Sequence, residues 1–300
     1  MKSNIRKRRS FGDRLFITVA YLFVMIVAVL GVLPFIMLLS GSFTSESYII
    51  NHGYSLIPGE FSLAAYKSIF KNAQSVVNAY GVTVMTTAAG TVMALFMTSM
   101  TAYVLHRRDF PYRSKISFFM YFTTLFSGGL TPYYMLMMWL GMKNNILSLI
   151  LPHLLSVFNI IIVRTFMQSL PHEFVEAAKV DGAGDFKIYT AIILPMVKPV
   201  IATIALFVGL TMWNQWYNCM LFISDKNLYT LQYYLYTMLN NATAMKELMS
   251  GTTIDTNSIA IPTESIKLAM TIIAAGPILL LYPFVQKYFV KGITIGGVKG

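Results

Sequence analysis

With 56% hydrophobic and only 12% charged residues in 300, and a mean hydropathy of +0.62, the chain is too apolar for a soluble domain, where about a quarter of residues are charged. The formal net charge of +11 would in a soluble protein suggest nucleic acid; here the basic residues stand at the ends of apolar runs, where they orient a chain in a bilayer, so no nucleic-acid partner is expected. One cysteine, Cys219, leaves no intrachain disulfide framework and no cysteine-based metal site.

Residues 1–14 form a basic segment, followed by an apolar run at 15–39. That run is too long for a signal-peptide core and no A-x-A site follows it, so it reads as a retained first span. About 20 apolar residues cross a hydrocarbon core, and five further stretches qualify: 76–105, 116–140, 146–166, 200–223 and 266–290. In the second, Gly81, Ala88, Ala89, Gly90 and Ala94 suit close helix packing. The third is interrupted by Ser127-Gly128-Gly129 and Pro132, which predicts a helix, a break and a shorter helix; such breaks are tolerated where backbone lines a cavity or is covered by protein. In the fourth, His153 after Pro152 reads as a packing or hydrogen-bonding residue. An outer segment, 224–265, carries LQYYLYTMLNNA, a candidate surface helix that either touches an extracytoplasmic partner or packs on its own bundle. A Gly-rich tail closes the chain at 291–300.

Six spans place both termini on one side. Of the 23 Lys and Arg, 17 lie in the N-terminal segment, after the second span, in the 164–198 loop and at the C-terminus, against 6 on the other side. This bias predicts that both termini and the 164–198 loop are cytoplasmic. None of the 12 acidic residues falls within these spans, whereas ion pathways are marked by intramembrane charge. Ion-coupled transport is therefore disfavoured, and the energy for any solute movement is expected to enter through another chain.

The loop at 167–198, between the fourth and fifth spans, is the most informative segment. Ser169 and Pro171 are helix-start signals, Glu173 and Glu176 favour a helix N-terminus, and Asp181-Gly182 is a stop and turn. Asp185 then starts a second short helix ending near Pro195. Ala177 and Ala178 are small enough for another surface to approach.

From Glu176 to Pro195 the loop resembles the signature of ABC-importer permeases: Glu176-Ala177-Ala178, Gly182 after three residues, and Ile192, Leu194 and Pro195 after nine more. The tail FVKGITIGGVKG resembles that of the maltose-type permease. FSGGLTPYYML, SVFNIIIVRTF and WNQWYN resemble permeases of lipoprotein-linked oligosaccharide importers. The resemblance implies an all-α membrane protein with the six-helix type I ABC-importer permease fold, forming half of a carbohydrate pathway. It implies a second homologous permease, two ABC ATPase subunits and an extracytoplasmic sugar-binding lipoprotein as partners in the bacterial plasma membrane. It also implies ATPase coupling through Glu176, Ala177, Ala178, Asp181 and Gly182, and ATPase contact by Gly296, Gly297 and Lys299. ATP and magnesium would bind the ATPase; this chain would bind no cofactor and catalyse nothing.

No G-x-x-x-x-G-K-[ST] is present, and His172-Glu173 continues to Glu176 rather than to a second histidine, which excludes the zinc-protease motif. Trp213, Asn214, Trp216, Tyr217 and Asn218, with Tyr133, mix amides and rings: rings stack on sugars and amides bind hydroxyls. The same residues also suit an interfacial aromatic belt or helix-to-helix contacts. Asn214 and Asn218, four apart, are expected on one helix face. A non-sugar solute is the alternative within the family; a secondary transporter and a membrane-embedded enzyme lack the intramembrane charges and the clustered acid, base or metal set they need.

Overall fold

The computed structural model describes residues 11–250 and 263–297. Among them the regular structure is helical, and an isolated antiparallel bridge between Thr44 and Phe61 is the only β pairing. The helices are α1 (Phe11–Ser42), α2 (Glu46–His52), α3 (Ala64–Phe70), α4 (Ala73–His106), α5 (Arg113–Leu125), α6 (Leu130–Trp139), α7 (Leu147–Ile150), α8 (Val157–Gln168), α9 (Glu173–Val180), α10 (Asp185–Ile188), α11 (Leu194–Met196), α12 (Lys198–Trp213), α13 (Tyr217–Phe222), α14 (Leu231–Ser250) and α15 (Thr263–Gly297). Every predicted apolar stretch is mainly helical, with breaks at 126–129, 154–156 and 214–216. Three helices (Phe11–Ser42, Ala73–His106, Thr263–Leu280) are long and apolar enough to cross a bilayer, and two bent pairs bring the number to five.

The breaks follow from local chemistry. The third stretch divides as expected: α5 ends at Leu125, Gly129 takes φ +85°, and α6 begins at Leu130. A Leu147–His153 and Val157–Gln168 pair makes the fourth, bent by 46°. Ahead of α12, the π-helical turn Tyr189–Ile193 absorbs Pro195, which has no N–H for the α-helical ladder. The Asp185–Met196 run then meets α12 at 82°.

Two compact units divide the chain. The first contains residues 1–71 and 241–273. Its main tie is a buried acid: the Glu46 carboxylate accepts hydrogen bonds at 2.9–3.0 Å from the backbone N–H groups of Thr263, Glu264 and Ser265 and from the Thr263 and Ser265 hydroxyls. A carboxylate here satisfies the unpaired donors of the α15 N-terminus and sits at the positive end of its dipole. Because α15 starts at Thr263 rather than 266, Glu264 lies in its first turn and bonds Lys267 at 2.8 Å; Asp13 likewise occupies the first turn of α1. The expectation that acids avoid the spans therefore holds for their interiors and not for their end turns.

The second unit contains residues 72–240 and 274–300. Here α4 packs against both α12 and α8, over a core that includes Ala94, Ala102, Ile160, Val163, Met167, Ile204 and Met212. The small residues of α4 permit this approach: a Cβ on Gly90 would stand 2.8 Å from Met212 Cε.

Candidate functional site

The 167–198 loop is built as a capped helix clamped to the end of α4. Helix α9 starts after His172, whose carbonyl accepts from the N–H groups of Val175 and Glu176 at 3.0 and 3.1 Å. It stops because Gly182 adopts φ +76°. The Ala183 N–H then reaches the Ala178 carbonyl at 2.9 Å and the Gly182 N–H the Lys179 carbonyl at 3.0 Å, the pair of bonds that closes a helix on a left-handed residue. Asp181 is the helix-terminal residue before this turn. Gly184 and Asp185 open α10 directly afterwards.

Of the residues expected to meet an ATPase, Glu176 and Ala177 are exposed, and so are their neighbours Phe174 and Val180. Ala178 is not. It is 7% exposed and belongs to the same buried cluster as Ala102, Tyr103, Ile188 and Tyr189. Its small side chain packs within the chain's own core, while the neighbouring Glu176 and Ala177 face outward. Gly296 and Gly297 lie within α15; Lys299 lies outside the described residues.

Four charged side chains hold this loop to the end of α4; of these, sequence reasoning read Asp185 as a helix start and did not see the pairing. Arg107, the residue after α4, pairs with Asp109 and at 2.5 Å with Asp185 of α10, while Lys179 of α9 reaches Asp109 at 3.2 Å. Bonding to Arg107, and then to Lys179, holds the Asp109 carboxyl well below the usual carboxylate range against an opposing desolvation. Bonds to Asp109 and then Asp185 raise the Arg107 guanidinium. Beside this latch the rings of His106 and His172 stack in parallel, 5.6 Å apart. Deeper in, the Ser99 hydroxyl and the Tyr189 phenol share a 2.7 Å hydrogen bond. A cavity of about 470 Å³ opens between the end of α4 and α10, with Met100, Val104, Phe110 and Phe186 as apolar walls and Arg107 at its rim. The 167–198 loop is thus tied by ion pairs to the C-terminal end of the long apolar helix α4.

The expected pathway residues separate into two groups. Trp213 is buried and donates from Nε1 to the Ala274 carbonyl at 3.0 Å. Asn218 is buried and accepts from the Tyr133 hydroxyl at 3.3 Å. Asn214, Trp216 and Tyr217 are exposed. The expectation that Asn214 and Asn218 share a helix face fails because α12 ends at Trp213 and α13 begins at Tyr217. The Asn214 side chain ends the helix by donating to the Leu210 carbonyl at 2.9 Å, local competition typical of Asn, and the Thr230 hydroxyl takes the freed Gln215 carbonyl at 2.7 Å. His153 keeps the packing role read from sequence, with Nδ1 3.4 Å from Gln215 Nε2.

Among the described residues the chain is helical, with long apolar helices, a broken fifth stretch and a capped polar loop, the architecture of a multi-span membrane protein. The chain belongs to the family of binding-protein-dependent transport system inner membrane components, whose model matches residues 3–295, and is a multi-pass protein of the bacterial plasma membrane. It is 39% identical to Protein LplC of Bacillus subtilis (strain 168) over 96% of each chain. It is 37% identical to the polygalacturonan/rhamnogalacturonan transport system permease protein YtcP of the same organism, over 96% of this chain and 99% of the relative. The crystal structure of a bacterial ABC transporter involved in the import of the acidic polysaccharide alginate superposes with a TM-score of 0.79 at 27% identity, covering 94% of this chain and 99% of that one.

Proposed function

We propose that this permease forms half of the membrane pathway of an ABC importer for an oligosaccharide, with six spans, both termini in the cytoplasm and the 167–198 loop as its coupling element. A second homologous permease supplies the other half, two ABC ATPases bind ATP and magnesium, and an extracytoplasmic lipoprotein delivers the sugar. The relatives named for polygalacturonan/rhamnogalacturonan and alginate support the carbohydrate class. The single observation that carries the coupling reading is the construction of α9: a short helix with exposed Glu176 and Ala177, stopped by a left-handed Gly182 and fixed to α4 by the Arg107–Asp109–Asp185–Lys179 latch.

In this reading, ATP binding draws the ATPases together and moves α9. The latch and the buried Ala178 and Tyr189 contacts pass that displacement to α4 and α12, which open the pathway outward, and hydrolysis resets it. The tail residues Gly296, Gly297 and Lys299 add a second ATPase contact. The test is uptake of labelled pectin-derived oligosaccharides into proteoliposomes holding the complete importer. Accumulation is expected only with internal ATP and loaded binding protein. Accumulation driven by an ion gradient alone, without ATP, would refute the coupling reading.

A further inference from the structure

The exposed half of the broken fifth stretch does not stand alone. The Trp216 ring lies 4.9 Å from that of Tyr236 on α14 and 5.8 Å, edge-on, from Tyr217; Tyr236 continues to Tyr233 at 6.3 Å. Trp216, Tyr217 and Tyr236 are 39%, 42% and 39% exposed, so each keeps part of its surface outside the packing of the chain. Next to them Gln232, four residues before Tyr236 and on the same face of α14, donates from Nε2 to Asn214 Oδ1 at 3.2 Å. Asn214 also gives one N–H to Leu210. By the valence of two amides, this leaves one N–H on each side chain and the Gln232 carbonyl unused among the described residues.

The place of this assembly matters as much as its composition. Helix α12 has 16 residues, a length of about 24 Å, against a hydrocarbon core of about 30 Å. With α12 entering from the cytoplasmic face, as proposed above, the break at residues 214–216 falls towards the outer edge of the bilayer. Non-helical backbone at that depth is tolerated where protein covers it or where it lines a water-filled cavity.

Resting on the carbohydrate reading above, we infer that Trp216, Tyr217, Tyr236 and the Asn214–Gln232 amide pair form a docking platform for one pyranose ring of the transported oligosaccharide at the outer mouth of the pathway. An aromatic face is electronegative and attracts the C–H face of a sugar ring; the two free N–H groups and the free carbonyl match hydroxyls pointing from the ring edge. Lipid chains would use the rings and leave the amides idle. Because the contacts are made by rings and neutral amides, the platform reads ring shape and hydroxyl pattern rather than sugar charge.

The test uses the complete importer in proteoliposomes, with short galacturonan, arabinan and malto-oligosaccharides as probes. If the unsubstituted importer takes up none of them, the carbohydrate reading fails and the platform fails with it. If it imports one, Trp216→Ala, Tyr236→Ala and Gln232→Ala are each expected to lower that uptake about tenfold, the scale of one lost ring or amide contact. Trp216→Phe and Tyr236→Phe should keep most of it, and stimulation of the ATPase by loaded binding protein should persist in all five. Unchanged uptake in Gln232→Ala, at a partly exposed helix position where Ala favours the helix, would overturn the platform in favour of a lipid-facing belt. Parallel loss of uptake and of binding-protein stimulation would overturn it in favour of a protein-docking surface.

Discussion

Gly182 offers the sharpest perturbation of the coupling loop, because backbone conformation and side-chain space are separable there. Its φ is +76°, and a Cβ added to it would meet nothing within 4 Å. A substitution at this position is therefore penalised by the left-handed backbone alone, at about 1–2 kcal/mol for an ordinary residue and less for Asn, with a β-branched side chain worse still. One kilocalorie per mole lowers the population of the closed cap about fivefold. Open space means that size and polarity should not matter on their own. We expect ATP-driven uptake to fall in the order Gly, Asn, Ala, Val at position 182, with Ala several-fold below the natural chain, the permease still inserted, and the melting temperature of the purified complex little changed. The assay is uptake and binding-protein-stimulated ATP hydrolysis in proteoliposomes for all four side chains. Equal activity of the Ala and Gly forms, or an Asn form weaker than Ala, would refute the claim that a left-handed turn holds α9 in its working position.

The neighbouring alanines should give opposite readouts. Ala178→Leu overpacks a filled core at about 1–3 kcal/mol and should lower the thermal stability of the permease itself; Ala177→Leu, on the exposed face, should leave stability alone and weaken ATPase retention in pull-downs. The latch should behave as a charge network rather than as individual residues. Arg107→Asp and Asp185→Arg should each raise the ATP hydrolysed per sugar imported, and the double exchange should restore part of the ratio, since Asp109 loses its Arg107 partner, with a coupling of about 0.2–1 kcal/mol for pairs this exposed. Since Asp109 titrates below its unfolded value of about 3.9, its contribution is fully present above that pH and is lost only as pH falls below it. The latch should therefore be indifferent to pH across the neutral and mildly acidic range; a fall in coupling near neutral pH that Asp109→Asn abolishes would contradict this.

Much of the architecture was legible because it is dictated by local rules. Apolar run length marked the helices, Gly129 and Pro132 marked the break before α6, and the Asp181-Gly182 pair marked the end of α9. What escaped depends on pairs distant in sequence. A small residue such as Ala178 is equally consistent with a partner contact and with a crowded core, and only the packing of Tyr103, Ile188 and Tyr189 around it decides. The break at 214–216 contains neither Gly nor Pro. It is made by the Asn214 amide at one end and paid in hydrogen bonds by Thr230, so the fourfold spacing of Asn214 and Asn218 pointed to a face that does not exist. Likewise Arg107-Arg108-Asp109 reads as a basic loop end until Asp185 and Lys179 are brought to it. Glu46 carries no local signal of its role in capping α15, more than 200 residues away.

The central claim, that α9 is the surface through which an ATPase drives this permease, is tested most directly by cross-linking. In a Cys219→Ser background, cysteines placed one at a time at Phe174, Glu176, Ala177 and Val180, all exposed positions on one short helix, would be joined to the ATPase of the assembled importer by a short bifunctional reagent. The account predicts efficient cross-links from Glu176 and Ala177, a weakening of those links when ATP turnover is trapped in one state, and none from a cysteine at the exposed Lys226 of the outer segment. An intact, transporting complex that gives no cross-link from any of the four α9 positions, or that gives one from Lys226, would contradict it.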